Sequence, residues 1–261
     1  MQSLKELREK KGFICDMDGV IYHGNRLLDG AREFVEWLQK EGKPFLFLTN
    51  ASERSPRELK EKLNRMGLDI PEENFYTSAL ATAKFLKKQT ERRSAYVIGE
   101  AGLINALYEA GITMNDVDPE YVVVGETQHI NYESITRAMR FVMNGAKLIG
   151  TNPDLTGPGE HGLFPACGAM ISPIEVATGK KAYFIGKPNP LMMRTGLKLL
   201  GLHAQDAVMV GDRMDTDVVA GVEAGMETVL VLSGVSTRET LENFPYRPDY
   251  VLDGVGSIPG K

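Results

Sequence analysis

Short, wholly apolar runs alternate along this chain with longer stretches whose apolar residues recur every three or four positions; the first pattern predicts strands, the second helices. Phe13, Ile14 and Cys15 make one such run, which ends at Asp16, Asp18 and Gly19 in "GFICDMDGVIYHG". A second, "PFLFLTN" (44–50), also ends in polar residues. "SPRELKEKLNRMG" follows, with Ser55 as N-cap, Pro56 at the first helical position, Glu58 completing a capping box and Gly67 past the end, which together predict a helix. Late in the chain "AVMVGD" (207–212), "TVLVLSG" and "YVLDG" predict strands, with the helical "TDVVAGVEAGM" between the first two. From about Ser78 to about Lys181 the order is helix, "AYVIG", helix, "YVVVGE", helix, "KLIGTN", a glycine-rich loop and a further helix. Strands separated by helices predict α/β architecture with parallel sheets. The expected organisation is a doubly wound core from residues 1–78 and 182–261, with an inserted, smaller α/β unit at 79–181. An insertion of this kind suggests a lid that excludes water from a site.

Composition narrows the class. At 261 residues the chain suits one large α/β domain or two smaller ones, and 43% hydrophobic with 25% charged residues is the mix of a soluble globule. A net charge of −5 argues against a nucleic-acid partner. The two cysteines, Cys15 and Cys167, make no disulfide framework and point to a reducing, cytoplasmic setting. "MQSLKELREKKG" is charged throughout and does not read as a secretory signal. No apolar run reaches the roughly 18 residues needed to span a bilayer, so no membrane partner is expected.

The chemistry gathers at strand ends, where ligands bind in open α/β sheets. Asp16 and Asp18 stand at i and i+2, on one side of a strand, and repel each other. A divalent cation makes such a pair favourable, and hard oxygen ligands suit Mg²⁺. Asp212, at the end of "AVMVGD", is a candidate to converge on the same ion, and Lys187 in "FIGKPNP" a candidate to offset the negative charge. An anionic ligand completes the balance, and phosphate is the obvious one. The Thr49 hydroxyl can donate to it, and Asn50 sits at a turn with free backbone N–H groups. An aspartate carboxylate can act as nucleophile in phosphoryl transfer, and a second can protonate the leaving oxygen.

"DMDGV", "LTN", the lysine of "GKPNP" and "GDRMDTD" resemble, in order and spacing, the four motifs of the haloacid-dehalogenase-like (HAD) phosphatases. The insertion between the second and third is similar to the family's type 2 cap. "TSALATA", "VVGETQHINYESI", "TNPD", "PACGAM" and "LVLSGVSTRETLENFPYRPDYVLD" resemble the NagD-like branch, which includes ribonucleotide and 4-nitrophenyl phosphatases. The resemblance implies that Asp16 is nucleophile and metal ligand, and that Asp18 is general acid and then base, with its carbonyl on the metal. It implies that Thr49 and the Asn50 amide hold the phosphoryl group, with Lys187 neutralising it. Asp212 would bind Mg²⁺, and Asp217 would orient Lys187 or a metal-bound water. Gly19 would let the backbone approach the phosphate, and "YHGNRLLDG" would form a flap at the rim. Asp215 receives no role.

Substrate choice is expected in the cap loop "TNPDLTGPGEHGLFPACG" (151–168), through Asn152, Asp154, Glu160 and His161. The resemblance implies nucleoside 5′-monophosphates such as UMP and 4-nitrophenyl phosphate, with small aryl or sugar phosphates also in range. The partner is then a small phosphorylated metabolite, and the protein a monomer or a homodimer. Other readings stay open: a phosphate-binding or regulatory protein without turnover, a phosphomutase, or a dehalogenase, in which Asp18 and Asp212 would be wasted. His23, His129, His161 and His203 lack ligand spacing and predict no zinc site; Cys167 either lines the pocket or packs.

Overall fold

Buried at every position, the run Gly12–Cys15 lies inside a six-stranded sheet whose order is Tyr250–Leu252, Glu227–Val231, Ala207–Gly211, Gly12–Cys15, Phe45–Thr49 and Phe75–Thr77. The computed structural model describes residues 3–89, 91–159 and 162–260. Gly12–Cys15 pairs in parallel with Ala207–Val210 on one side and, through Phe13–Cys15, with Phe45–Phe47 on the other. Strands covered on both faces are apolar at successive positions rather than alternate ones, which is why these runs contain no polar residue until they end. The helix Ala31–Lys40 sets Phe34 and Trp37 edge-on to Phe13, with ring centroids 5.9 and 5.6 Å away. Such aromatic pairs are worth about 0.5–1.5 kcal/mol each beyond their burial.

The chain divides into two compact units, residues 1–48, 60–76 and 187–261 in the first and 49–59 with 77–186 in the second. These limits differ from those read in the sequence, 78/79 and 181/182, chiefly because 49–59 goes with the second unit. Hydrogen bonds account for that: Gly102 N–H donates to the Glu53 carbonyl (3.1 Å), Glu126 N–H to Ser52 Oγ (3.2 Å), and Ser78 Oγ to the Asn50 carbonyl (2.6 Å). The helix Pro56–Arg65 begins with the expected box: Glu58 N–H donates to Ser55 Oγ (3.3 Å) and Ser55 N–H to Glu58 Oε2 (2.7 Å).

In the second unit a five-stranded parallel sheet runs Tyr183–Phe184, Lys147–Gly150, Tyr121–Val124, Ser94–Ile98, Thr113–Met114. The helices Tyr132–Met143 and Cys167–Thr178 cover it, burying Val122, Val124, Leu148, Ile171 and Ile174 together. The glycine-rich segment is not the plain loop expected of it. Thr156–Gly159 pairs antiparallel with Gly162–Pro165 as a hairpin. A Cβ at Gly157 would lie 2.5 Å from the Phe164 ring, so the glycine makes room for that side chain. Glu160 and His161 lie outside the described residues. "TDVVAGVEAGM" also departs from a simple helix: Met214–Val218 forms a wide π turn before the α-helix Val219–Glu223. No helix among the described residues is long and apolar enough to cross a membrane.

Candidate active site

Parallel strands bring their carboxyl ends to one edge of the sheet, and in the first unit this delivers Asp16 and Asp212 side by side. The strand register continues one step into the site, where Asp16 N–H donates to the Val210 carbonyl at 2.8 Å. Lys187 joins them and is only 2% exposed. Its ammonium donates to Asp16 Oδ1 (2.7 Å), Asp217 Oδ1 (2.7 Å) and the Leu48 carbonyl (3.0 Å). Asp217 is held from its other side, with Oδ2 accepting from the backbone N–H groups of Asp212 (3.2 Å) and Arg213 (3.1 Å). The wide turn over Met214–Val218 allows this, and Gly211 makes the space, since a Cβ there would lie 2.1 Å from Asp217 Cβ.

Asp212 accepts the Val235 N–H on Oδ2 at 2.7 Å. Two glycines press against the same oxygen. A Cβ at Gly19, whose φ is +76°, would fall 2.5 Å from it, and one at Gly234 would fall 2.0 Å away. Ser233 Oγ donates to the Gly19 carbonyl at 2.7 Å and ties these two segments together.

Asp16, Asp212 and Asp217 each offer an oxygen within 4.8 Å of the others. Burial pushes the Asp16 carboxyl up, with Lys187 pulling against it. Burial, then the charges of Asp217 and Asp16, hold Asp212 well above the usual carboxylate range. Asp217 is pushed up to about 6, again chiefly by burial and against Lys187. Burial alone would lower the lysine, but Asp16 and Asp217 outweigh it and the ammonium is held above its ordinary value. Ionised together, the three carboxylates against one ammonium would leave an excess of two negative charges in a mostly buried setting, which a cation would offset. The donor set is hard oxygen, so these residues fit a divalent cation.

Asp18 does not join this cluster through its carboxylate, which is 38% exposed and lies 3.5 Å from His23 Nδ1. Asp215 pairs with Arg213 at 2.8 Å on the outside. In the second unit Thr49 Oγ1 accepts from Ala51 N–H (3.1 Å), which aims the hydroxyl hydrogen elsewhere. Asn50 Nδ2 donates to Asp154 Oδ2 (2.7 Å), and Asn152 Nδ2 donates to the same oxygen (2.7 Å) and to Glu126 Oε1 (3.2 Å). Asn152 is fully buried, so its amide positions two carboxylates within the unit. Cys167 is core: its thiol donates to the Val124 carbonyl (3.2 Å) and burial pushes it up to about 11. His23, His129 and His203 are exposed.

Val235, Gly234, Gly211 and Glu126 escaped the sequence reading. A signal existed for two of them. Glu126 follows the strand of "YVVVGE" and Gly234 that of "TVLVLSG", the same strand-end position that marked Asp16 and Asp212.

A family model described as haloacid dehalogenase-like hydrolase matches residues 13–113, and a second, HAD hydrolase-like, matches 184–258. The chain is 46% identical to dihydroxyacetone phosphatase of Corynebacterium glutamicum over 94% of this chain and 90% of that one. It is 44% identical to ribonucleotide monophosphatase NagD of Escherichia coli, covering 95% and 98%. Among solved structures, 4-nitrophenylphosphatase from Thermotoga maritima superposes with a TM-score of 0.92 at 34% identity, covering 98% of this chain and 97% of that one.

Proposed function

Since this chain belongs to the haloacid dehalogenase-like hydrolases, we propose that it is a Mg²⁺-dependent phosphomonoesterase working through an aspartyl-phosphate on Asp16. The observation that carries the reading is the cluster of Asp16, Asp212 and Asp217 around the buried Lys187 ammonium. A carboxylate already paired with a lysine cannot leave the site and is poised to meet an electrophilic phosphorus. Asp16, Asp212 and the Asp18 carbonyl would hold Mg²⁺, which when bound would offset the charge of the carboxylates and of the phosphoryl oxygens. Asp217, with both oxygens occupied, orients Lys187.

An Asp16 oxygen attacks phosphorus, and the bond to the leaving oxygen breaks as Asp18 gives that oxygen its proton. A water that passes its proton to Asp18 then attacks the phosphorus of the aspartyl-phosphate. The bond to Asp16 breaks and inorganic phosphate departs. The partial exposure of Asp18 lets it exchange protons with solvent between steps. Thr49, with its hydroxyl hydrogen turned away from Ala51, and the Asn50 N–H hold the phosphoryl oxygens.

The relatives are named dihydroxyacetone phosphatase, ribonucleotide monophosphatase and 4-nitrophenylphosphatase, and their likeness supports small sugar, nucleoside and aryl monoesters as substrates. A panel of such monoesters, assayed for released phosphate with Mg²⁺ present, tests the reading. Release from at least one is expected. Release from none overturns it.

A further inference from the structure

In the second unit's sheet the register sets Tyr121 opposite Lys147 and Tyr183 opposite Ile149. Carried back two residues, the second pairing brings Lys181 level with Lys147. Side chains alternate between the faces of a sheet. Val122 and Leu148 pack with the helices Tyr132–Met143 and Cys167–Thr178, which leaves Tyr121, Lys147, Ile149 and Tyr183 to the other face. There Phe85, from the helix Ser78–Lys87, meets Tyr183 with ring centroids 5.4 Å apart. These residues, with Gln89 and Lys180, line a cavity of about 560 Å³, within the roughly 300–1,000 Å³ usual for small-molecule sites. A Cβ on Gly145, in the same lining, would meet nothing within 4 Å, so the cavity is open on that side.

Its charged lining is Lys147, Lys180 and Lys181 with no carboxylate, in a chain whose net charge is −5. Two of the three are paired from outside the cavity. Lys147 lies 3.8 Å from Glu120, and Lys181 lies 3.3 Å from Glu175, which also accepts the Ala182 N–H at 2.8 Å. Both lysine side chains are largely exposed, and exposed pairs hold their partners weakly. Lys180 pairs with no carboxylate among the described residues. Ammonium groups of this kind bind phosphate as point charges, and an aromatic wall takes the face of a flat ring.

The position is also unusual. Glu126 and Asn152, which belong to the hydrogen-bonded run from Asn50, follow the carboxyl ends of Tyr121–Val124 and Lys147–Gly150. Tyr121 and Lys147 begin those same strands, roughly 13 Å away along four residues. No carboxylate, histidine, serine or cysteine lines the cavity, so it is equipped to bind and not to turn over.

We propose that this cavity is a second ligand site, for a nucleoside polyphosphate whose phosphates take the three lysines and whose base lies against Tyr183 and Phe85. The Gln89 amide can both donate to and accept from the base. Lysines grouped round a concave aromatic wall suit a compact ligand of this kind better than an acidic protein surface.

ATP and inorganic tripolyphosphate, titrated calorimetrically in EDTA, separate the two parts of the proposal, since both carry three phosphates and only one carries a base. ATP should bind more tightly by about tenfold or more, the scale of one base–aromatic stack. The double variant Lys180→Gln, Lys181→Gln should weaken both ligands about tenfold or more, the scale of a lost charged hydrogen bond. Tyr183→Ser should weaken ATP by about tenfold and leave tripolyphosphate unchanged. All three side chains are exposed, so these variants keep the fold. Amine acylation read by mass spectrometry locates the ligand: ATP should protect Lys180 and Lys181 and not the exposed Lys40. No measurable binding of ATP, or equal affinity for the two polyphosphates, would overturn the proposal. So would an affinity that the lysine variant does not move, which would put the ATP elsewhere on the protein. Tighter binding of a polyglutamate peptide than of ATP would give the cavity to an acidic partner and overturn it as well.

Discussion

Replacing Gly234 with alanine puts a methyl carbon 2.0 Å from Asp212 Oδ2 and 2.5 Å from its Cγ. Ordinary contact begins near 3.4 Å, so the Asp212 side chain must retreat by more than an ångström. The retreat breaks the 2.7 Å bond from Val235 N–H, and a hydrogen bond to a charged group is worth about 1.5–3 kcal/mol. It also moves a proposed metal ligand. Displacing a positioned group by an ångström can cost about 10²-fold in rate, and disturbing what supports a ligand costs about 10–100-fold in metal affinity. Gly234→Ala should therefore lower kcat/KM for 4-nitrophenyl phosphate about 100-fold and raise the Mg²⁺ concentration for half-maximal activity about tenfold or more. Gly201→Ala is the control: its φ is +68° but nothing lies within 4 Å of the added carbon. That variant should lose roughly 1–2 kcal/mol of stability to backbone strain and keep its activity. The measurement is a Mg²⁺ titration of steady-state rates for both variants. If Gly234→Ala stays within about threefold of wild type across the titration, the glycine does not shape the Asp212 position as argued.

Chelation by EDTA should abolish activity and added Mg²⁺ restore it; full turnover in chelator would refute the metal assignment. Asp16→Asn should form no phosphoenzyme, whereas Asp18→Asn should slow the first step less for 4-nitrophenyl phosphate than for a nucleotide, because the nitrophenolate needs little protonation. Rapid-quench single turnovers read that step alone, and equal losses on both substrates would remove Asp18 from the role of acid. In metal-stripped protein, folded Asp217 holds its proton up to about pH 6 while the unfolded chain releases it near 3.8. Stability from this group must therefore fall as pH rises across that window. The Tm difference between Asp217→Asn and wild type should accordingly shift in the variant's favour from pH about 4 to about 6, and a constant difference would refute it.

The strand ends were the legible part of this chain. Apolar runs that stop at Asp16, Thr49 and Asp212 announce both a parallel sheet and the edge where its chemistry gathers, because burial on both faces forbids polar residues until the strand finishes. The lysine was legible only through its motif, since nothing in "FIGKPNP" says that Lys187 is buried. What stayed hidden depends on contacts far apart in the chain. Glu53 and Glu126 line one cavity although they stand 73 positions apart in the sequence, and Gly234 is needed only because Asp212 folds against it. Periodicity reports how a segment is buried, not which distant segment buries it. The pairing of Thr156–Gly159 with Gly162–Pro165 is illegible for a related reason: the glycines read as a loop, yet Gly157 makes room for Phe164.

The attachment of 49–59 to the second unit bears on how this protein can be recombined. A chimera that exchanges only 77–186 for the equivalent piece of a relative would keep the native 49–59 while replacing the segments that place its partners: the Gly102 amide, the Glu126 amide and the Ser78 hydroxyl. The transferable module is therefore discontinuous, two stretches of chain that must travel together. Because 49–59 also carries Thr49, Asn50 and Glu53, grafting it alone would bring in the donor's proposed phosphate-binding turn without the scaffold that shapes it. Swaps that respect both stretches should retain fold and exchange specificity as a single inheritance.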